Sequence, residues 1–265
     1  MRKKLGLALG SGGARGIAHV GFLQALDEAG IKADFVTGCS MGSVVGACYC
    51  AGVSVASMKE RALKLKLSQI ATLNVAPIHA NGLFRMTKTR KLLGELIGEN
   101  RDFNELEIPF QCVATDLFEG KVVVLKGGNV IDAVLASSAM PGAFVPIEKG
   151  EMRLVDGGIT ERVPTKELRD MGAEVIVAVD VLGDLMQKRF TNNLVDTLLR
   201  CVDIMDTRQT QSKKRSRARM VDLWLEPDLG AMDQYRVKAK NLQFAYEKGY
   251  ELGLANAEKI KELTE

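Results

Sequence analysis

Twice in the first 52 residues a short apolar run breaks off at glycines and hands over to a stretch with helical spacing. Residues 5–9 lead through Gly10-Ser-Gly-Gly-Ala-Arg-Gly16 into Ile17, Val20, Phe22, Leu23 and Leu26, closed by Gly30. Residues 35–37 lead through Gly38-Cys-Ser-Met-Gly42 into a small-residue helix over 43–51 that stops at Gly52. Strands that are apolar on both sides of their alternation must be covered on both faces, and 174–181 is the strongest of these. The pattern predicts an α/β fold: a three-layer α/β/α sandwich around a central, mostly parallel sheet. Further strands are expected at 110–117, 121–125 and 153–155, and a helix at 130–139 that Pro141 ends. Residues 57–104 read as a helical insertion or cap, with Leu63, Leu67 and Ile70 on one face and Leu92, Leu93, Leu96 and Ile97 on another. Residues 183–265 are expected to be mostly helical, apart from a candidate strand at 221–225, and to pack on the same domain as the 1–182 core.

Charge narrows the partners. Thirty-six Lys and Arg against 33 Asp and Glu leave +3, too even a balance for nucleic acid as the main partner. Between Asp206 and Asp222, however, lie Arg208, Lys213, Lys214, Arg215, Arg217 and Arg219 with no acid among them. This strip is expected to be a solvated helix face or loop, with peripheral contact to an anionic membrane surface as the alternative. It holds no aromatics to stack on bases. The five cysteines form no CxxC pair, which argues against a zinc site and a disulfide framework and for a reducing, cytoplasmic compartment. The apolar run after the basic start is too short for a secretory signal. Residues 35–58 are uncharged and long enough to cross a bilayer, but four Gly and four Ser point instead to a buried strand, turn and helix.

Three glycine-framed segments carry candidate chemistry. Gly38-Cys-Ser-Met-Gly42 matches G-x-S-x-G between a strand and a helix, the context of a nucleophile elbow with Ser40 as nucleophile. Gly38 and Gly42 are the small neighbours such a turn requires, and Cys39 is expected to be buried as a small hydrophobe. The loop at 10–16 offers successive N–H groups at a helix entrance, suited to an anion or oxyanion. It misses the G-x-G-x-x-G register of dinucleotide binding, and no Lys-Ser or Lys-Thr follows to make a P-loop. Asp156-Gly-Gly158 ends a strand, where acids face the crevice of open α/β sheets, although Asp-Gly is equally a common tight turn. The only histidines are His19, set among helix residues, and His79 in the insertion. Neither follows Asp156 in the chain, as the order of α/β-hydrolases requires, so a histidine-free dyad is favoured. Nothing in the pattern calls for a metal or an organic cofactor.

Taken together, Gly12-Gly-Ala-Arg-Gly16 with His19, Gly38-Cys-Ser-Met-Gly42, Ala136-Ser-Ser-Ala-Met-Pro-Gly142 and Asp156-Gly-Gly158 resemble the patatin-like phospholipase family in its bacterial form. The resemblance covers residues 5–182 and departs from the family at Ser11, where a third glycine is usual. It implies a patatin-like fold, an acyl-ester lipid substrate, Ser40 as nucleophile and Asp156 as base. It further implies oxyanion donors at Gly12, Gly13 and Ala14, supported by Arg15, Gly38, Gly42, Gly157 and Gly158. Arg15 would orient the loop, meet a phosphate, or form a structural salt bridge. An acyltransferase with the same dyad, or a regulatory module that binds acyl ligands with little turnover, are the alternative readings.

Overall fold

α1 (Ala18–Glu28) is covered over most of its surface: Ala18, Val20, Phe22, Leu23, Ala25 and Leu26 are all buried, while Asp27 and Glu28 of its last turn are exposed. The computed structural model describes residues 2–64, 72–73, 82–184, 193–230, 232–235 and 237–265. Its main sheet runs in the order β11 (Leu223–Leu225), β10 (Val175–Val179), β1 (Leu5–Leu9), β2 (Phe35–Cys39), β5 (Phe110–Asp116), β9 (Met152–Asp156), β8 (Ile147–Lys149). β6 (Lys121–Leu125) also pairs with β5. The five strands from β11 to β5 are parallel, and β6, β8 and β9 are antiparallel to their neighbours.

The alternation of β1 and β10 builds the layers. Leu5, Leu7, Leu9, Val175, Val177 and Val179 enter the large core that holds α1 and α2 (Met41–Cys50). Ala8, Ile176 and Ala178 face the other way, against Leu168 of α6 (Thr165–Met171). The uncharged stretch 35–58 forms β2, α2 and the start of α3 (Val55–Leu63). Among the described residues no helix is long and apolar enough to cross a membrane.

Residues 57–104 are helical up to Leu63 and over 87–97, and differ from the helical expectation between these two stretches. Between α3 and α4 (Thr87–Ile97) the described parts are strands, β3 (Thr72–Leu73) and β4 (Gly82–Arg85), which form a small sheet with β7 (Gly142–Phe144). Leu92, Leu93, Leu96 and Ile97 fall in α4 as their spacing predicts, whereas strands of two and four residues are too short to show an alternation. Leu67, Ile70 and His79 lie outside the described residues. Leu93 and Ile97 of α4 are buried in the main core beside α5 (Val130–Ser137).

The C-terminal part contributes β11 to the sheet, α7 (Leu194–Ser216) and α8 (Ala239–Thr264). α8 lies along α1 at backbone contact: a Cβ on Gly249 would sit 1.9 Å from the Ala18 carbonyl oxygen, and one on Gly21 2.0 Å from that of Tyr246. Gly249→Ala is therefore expected to push the helices apart and cost about 2 kcal/mol, the usual scale of overpacking. Thermal unfolding would read this as a drop of about 5 °C. Gly127→Ala, at a position with open space around it, serves as the control. Equal melting of the two variants would refute the close contact.

Candidate active site

Strand β5 sets the site by its register. Val113 pairs with Cys39, the last residue of β2, and the next residue, Ala114, pairs with Asp156, the last residue of β9. Two strand ends far apart in the chain are thus fixed side by side. Ser40 follows Cys39 in a sharp turn at φ 52° and ψ −122°, and among the described residues it is the one non-glycine with positive φ. That conformation is costly for a side-chain-bearing residue, on the order of 1–3 kcal/mol, and is typical of a functional turn. Its N–H donates to the buried Ser137 hydroxyl at 3.0 Å, and its carbonyl accepts from the Ser43 hydroxyl at 2.6 Å. A Cβ on Gly42 would lie 2.1 Å from the Leu9 carbonyl oxygen, so only glycine lets the elbow cross the end of β1.

Asp156 is buried and faces this turn. Burial pushes its carboxyl up from an ordinary 3.8 to about 6, against the opposing pull of hydrogen bonds from the Ser40 side chain, the Gly158 amide and the Cys39 thiol. The Gly158 N–H donates to Oδ1 at 2.8 Å, and Cys39 Sγ lies 3.9 Å from the same oxygen. Burial also raises the Cys39 thiol well above its usual range, as does the carboxylate beside it, so it stays protonated and donates. Backbone ties complete the frame: the Asp156 N–H donates to the Ala139 carbonyl at 2.9 Å, and the Thr115 hydroxyl to the Asp156 carbonyl at 3.1 Å. The segment 136–142 therefore binds both turns, through Ser137 to Ser40 and through Ala139 to Asp156.

The glycine loop lies against both. A Cβ on Gly16 would collide with Met41, and one on Gly158 would lie 3.3 Å from the Ser11 hydroxyl. The Ser11 N–H is committed to the Arg162 carbonyl at 2.9 Å. Ala14 requires a correction: its N–H donates to the Gln234 carbonyl at 2.9 Å, so it is not a free oxyanion donor. Gly12 and Gly13 differ, since among the described residues neither N–H is paired with an acceptor. Gly13 adopts φ 49° with its Cα facing the Gln234 carbonyl.

Arg15 is 6% exposed, too enclosed to meet a substrate phosphate. Its guanidinium donates to the carbonyls of Leu182, Gly230 and Met232 at 3.2, 2.9 and 2.9 Å, clamping the loop to the C-terminal part. His19 is fully buried, and its Nε2 meets the Gly10 carbonyl at 2.8 Å. Burial lowers it to about 4, so it is neutral and Nε2 carries the donated proton. Behind Asp156, Glu161 pairs with Lys213 and Arg217, and Arg162 with Asp180 and Asp206 at 2.6 and 2.7 Å.

Sequence reasoning missed Gln234, Arg162 and Glu161, which have no local signal. Ser137 was visible only as part of a motif without a role.

The model of the patatin-like phospholipase family matches residues 7–169, well over half of the chain and inclusive of both turns and the glycine loop. The chain belongs to the patatin-like phospholipase family. An uncharacterized NTE family protein of Mycobacterium tuberculosis is 37% identical over 180 residues, 68% of this chain and 49% of the relative. Human patatin-like phospholipase domain-containing protein 6 is 32% identical over 67% of this chain and 13% of its own length. Lysophospholipase nte1 of Aspergillus fumigatus is 33% identical over 68% and 12%. The chain spans about half the length of its mycobacterial relatives. VipD from Legionella pneumophila shares the fold, with a TM-score of 0.63 at 13% identity over 97% of this chain and 67% of that one. The patatin match ends before the segments that hold Arg15 and Ala14, so this chain anchors its glycine loop with residues outside the family region.

Proposed function

We propose that this patatin-like chain hydrolyses acyl-ester lipids through an acyl-enzyme. Ser40 is the nucleophile, Asp156 its base, and the Gly12 and Gly13 amides receive the oxyanion. One observation carries the reading: a serine held in a strained elbow beside a buried carboxyl whose proton affinity lies near neutrality. A carboxylate with an ordinary value near 3.8 is a poor base for a hydroxyl, whereas one near 6 is better matched to neutral pH. Asp156 takes the Ser40 proton as Oγ attacks the ester carbonyl, and then returns it to the leaving alcohol. It next removes a proton from the water that attacks the acyl-enzyme and passes it to Ser40 Oγ as the bond between that oxygen and the acyl group breaks, which releases the carboxylic acid and restores the serine. Two amides that meet no acceptor among the described residues, at the entrance of a short helix, suit the charge that develops on the carbonyl oxygen, each donor being worth about 10²- to 10³-fold. A relative named as a lysophospholipase supports the lipid substrate.

The test is labelling of the folded protein with a fluorophosphonate. Mass spectrometry is expected to find the adduct on Ser40, and the labelling rate to rise tenfold per pH unit up to about pH 6 and then level off. Modification elsewhere, or none, would overturn the assignment.

A further inference from the structure

Helix α7 is built inside out. Its inward face is polar: Asp203 accepts hydrogen bonds from Gln234 and Tyr235 at 2.9 and 2.8 Å, and Asp206 pairs with the buried Arg162. Thr207 and Thr210 are buried on that side as well. Its outward face is apolar: Leu194, Leu198 and Met205 are 73%, 57% and 71% exposed, with exposed Cys201 on the same stripe and Val202 at its edge. The spacing i, i+4, i+7, i+11 puts Leu194, Leu198, Cys201 and Met205 on one line. Soluble proteins rarely leave such a stripe unpartnered.

The same line continues into Arg208 and Arg215, both exposed, and the chain then reaches exposed Arg219. No exposed residue from 197 to 219 is acidic. The other three cations of the strip are turned inward or sideways, Lys213 and Arg217 to Glu161 and Lys214 to Glu226. α7 also touches the catalytic turn, for Gln209 and Lys213 donate to the Thr160 carbonyl, next to the half-exposed Ile159.

We propose that the outward face of α7 docks this protein on an anionic phospholipid bilayer, with the apolar stripe in the acyl boundary and the arginines at the headgroups. Apolar side chains flanked by arginine on one helix face are the composition of an interfacial helix. The choice of a bilayer as partner rests on the acyl-lipid reading. The ion pairs to Glu161 and Arg162 fix α7 relative to Asp156, so docking brings the catalytic turn to the lipid surface.

The test uses the whole chain and vesicles of ether-linked phosphatidylcholine, with and without phosphatidylglycerol, which ester hydrolysis cannot consume. Cys201 is exposed and the other four cysteines are buried, so a thiol-reactive environment-sensitive fluorophore marks the stripe alone. Its emission is expected to shift to the blue when the mixed vesicles are added. In co-sedimentation, L198D/M205D is expected to bind about tenfold or more weakly. R208E/R215E is expected to lose the preference for phosphatidylglycerol, while both variants hydrolyse a water-soluble short-chain ester like the parent. Unchanged fluorescence, or vesicle binding by L198D/M205D equal to the parent, would overturn the docking face. So would a dimer in light scattering that L198D/M205D makes monomeric in the absence of lipid, since a second copy would then cover the stripe. If the parent binds vesicles but never cleaves the soluble ester, the hydrolase reading falls and the docking face stands.

Discussion

Ser40→Ala is expected to lower kcat/KM on medium-chain acyl esters by at least about 10⁴-fold, the scale of removing a covalent nucleophile that acts in concert with its base. The fold should persist, because Ser40 is tied by backbone groups, its N–H to Ser137 and its carbonyl to Ser43, and alanine keeps both. Ser40→Gly separates strain from chemistry. At φ 52° and ψ −122° glycine pays none of the steric cost, so this variant is expected to be as inactive as alanine yet about 1 kcal/mol more stable. Urea unfolding of the two proteins beside the parent reads the difference. Equal stability would remove the strain argument, and residual activity in either would remove the nucleophile.

Asp156→Asn is expected to cut kcat by about 10³-fold or more, since a positioned base contributes about 10²- to 10⁴-fold and Asp156 is the carboxyl that the Ser40 side chain hydrogen-bonds. Stability should move the other way. In the folded chain the carboxyl takes up its proton near pH 6 instead of 3.8, so the folded state holds that proton more tightly than the unfolded chain. This contribution is complete below about pH 4 and is lost as the pH rises through 6. The difference corresponds to about 3 kcal/mol of destabilisation at pH 8. Asparagine carries no charge and its Oδ1 still accepts from the Gly158 amide. The variant is therefore expected to exceed the parent by up to about 3 kcal/mol at pH 8 and by almost nothing at pH 4. An advantage of the same size at both pH values would mean that Asp156 is not held in a dry site.

Much of the architecture was legible because it is local. The β1 and β2 runs each end at glycines before a helix, and strand alternation in 175–179 shows on its own that both faces are covered. The elbow at Ser40 is likewise a strand, a turn and a helix within a dozen residues. The small sheet of β3, β4 and β7 was not legible, because its strands are two to four residues long and β4 finds β7 far along the chain. Ala14 shows the same limit at the site. A glycine-rich loop announces spare N–H groups, but which of them stays unpaired depends on the Gln234 carbonyl, 220 positions downstream.

By itself the sequence determined the layered α/β class, the elbow serine and the strand-terminal acid, because covalent neighbours suffice to dictate backbone periodicity and turn chemistry. Only the tertiary structure decided that Cys39 and Asp156 pair with consecutive residues of β5, which makes the serine and the acid neighbours. It also decided that the leucines of α7 look outward. Their spacing alone reads as a core face, but buried Arg162 and Gln234 and the partly buried Tyr235 need polar partners, and Asp203 and Asp206 can meet them only if the apolar side of the helix turns away.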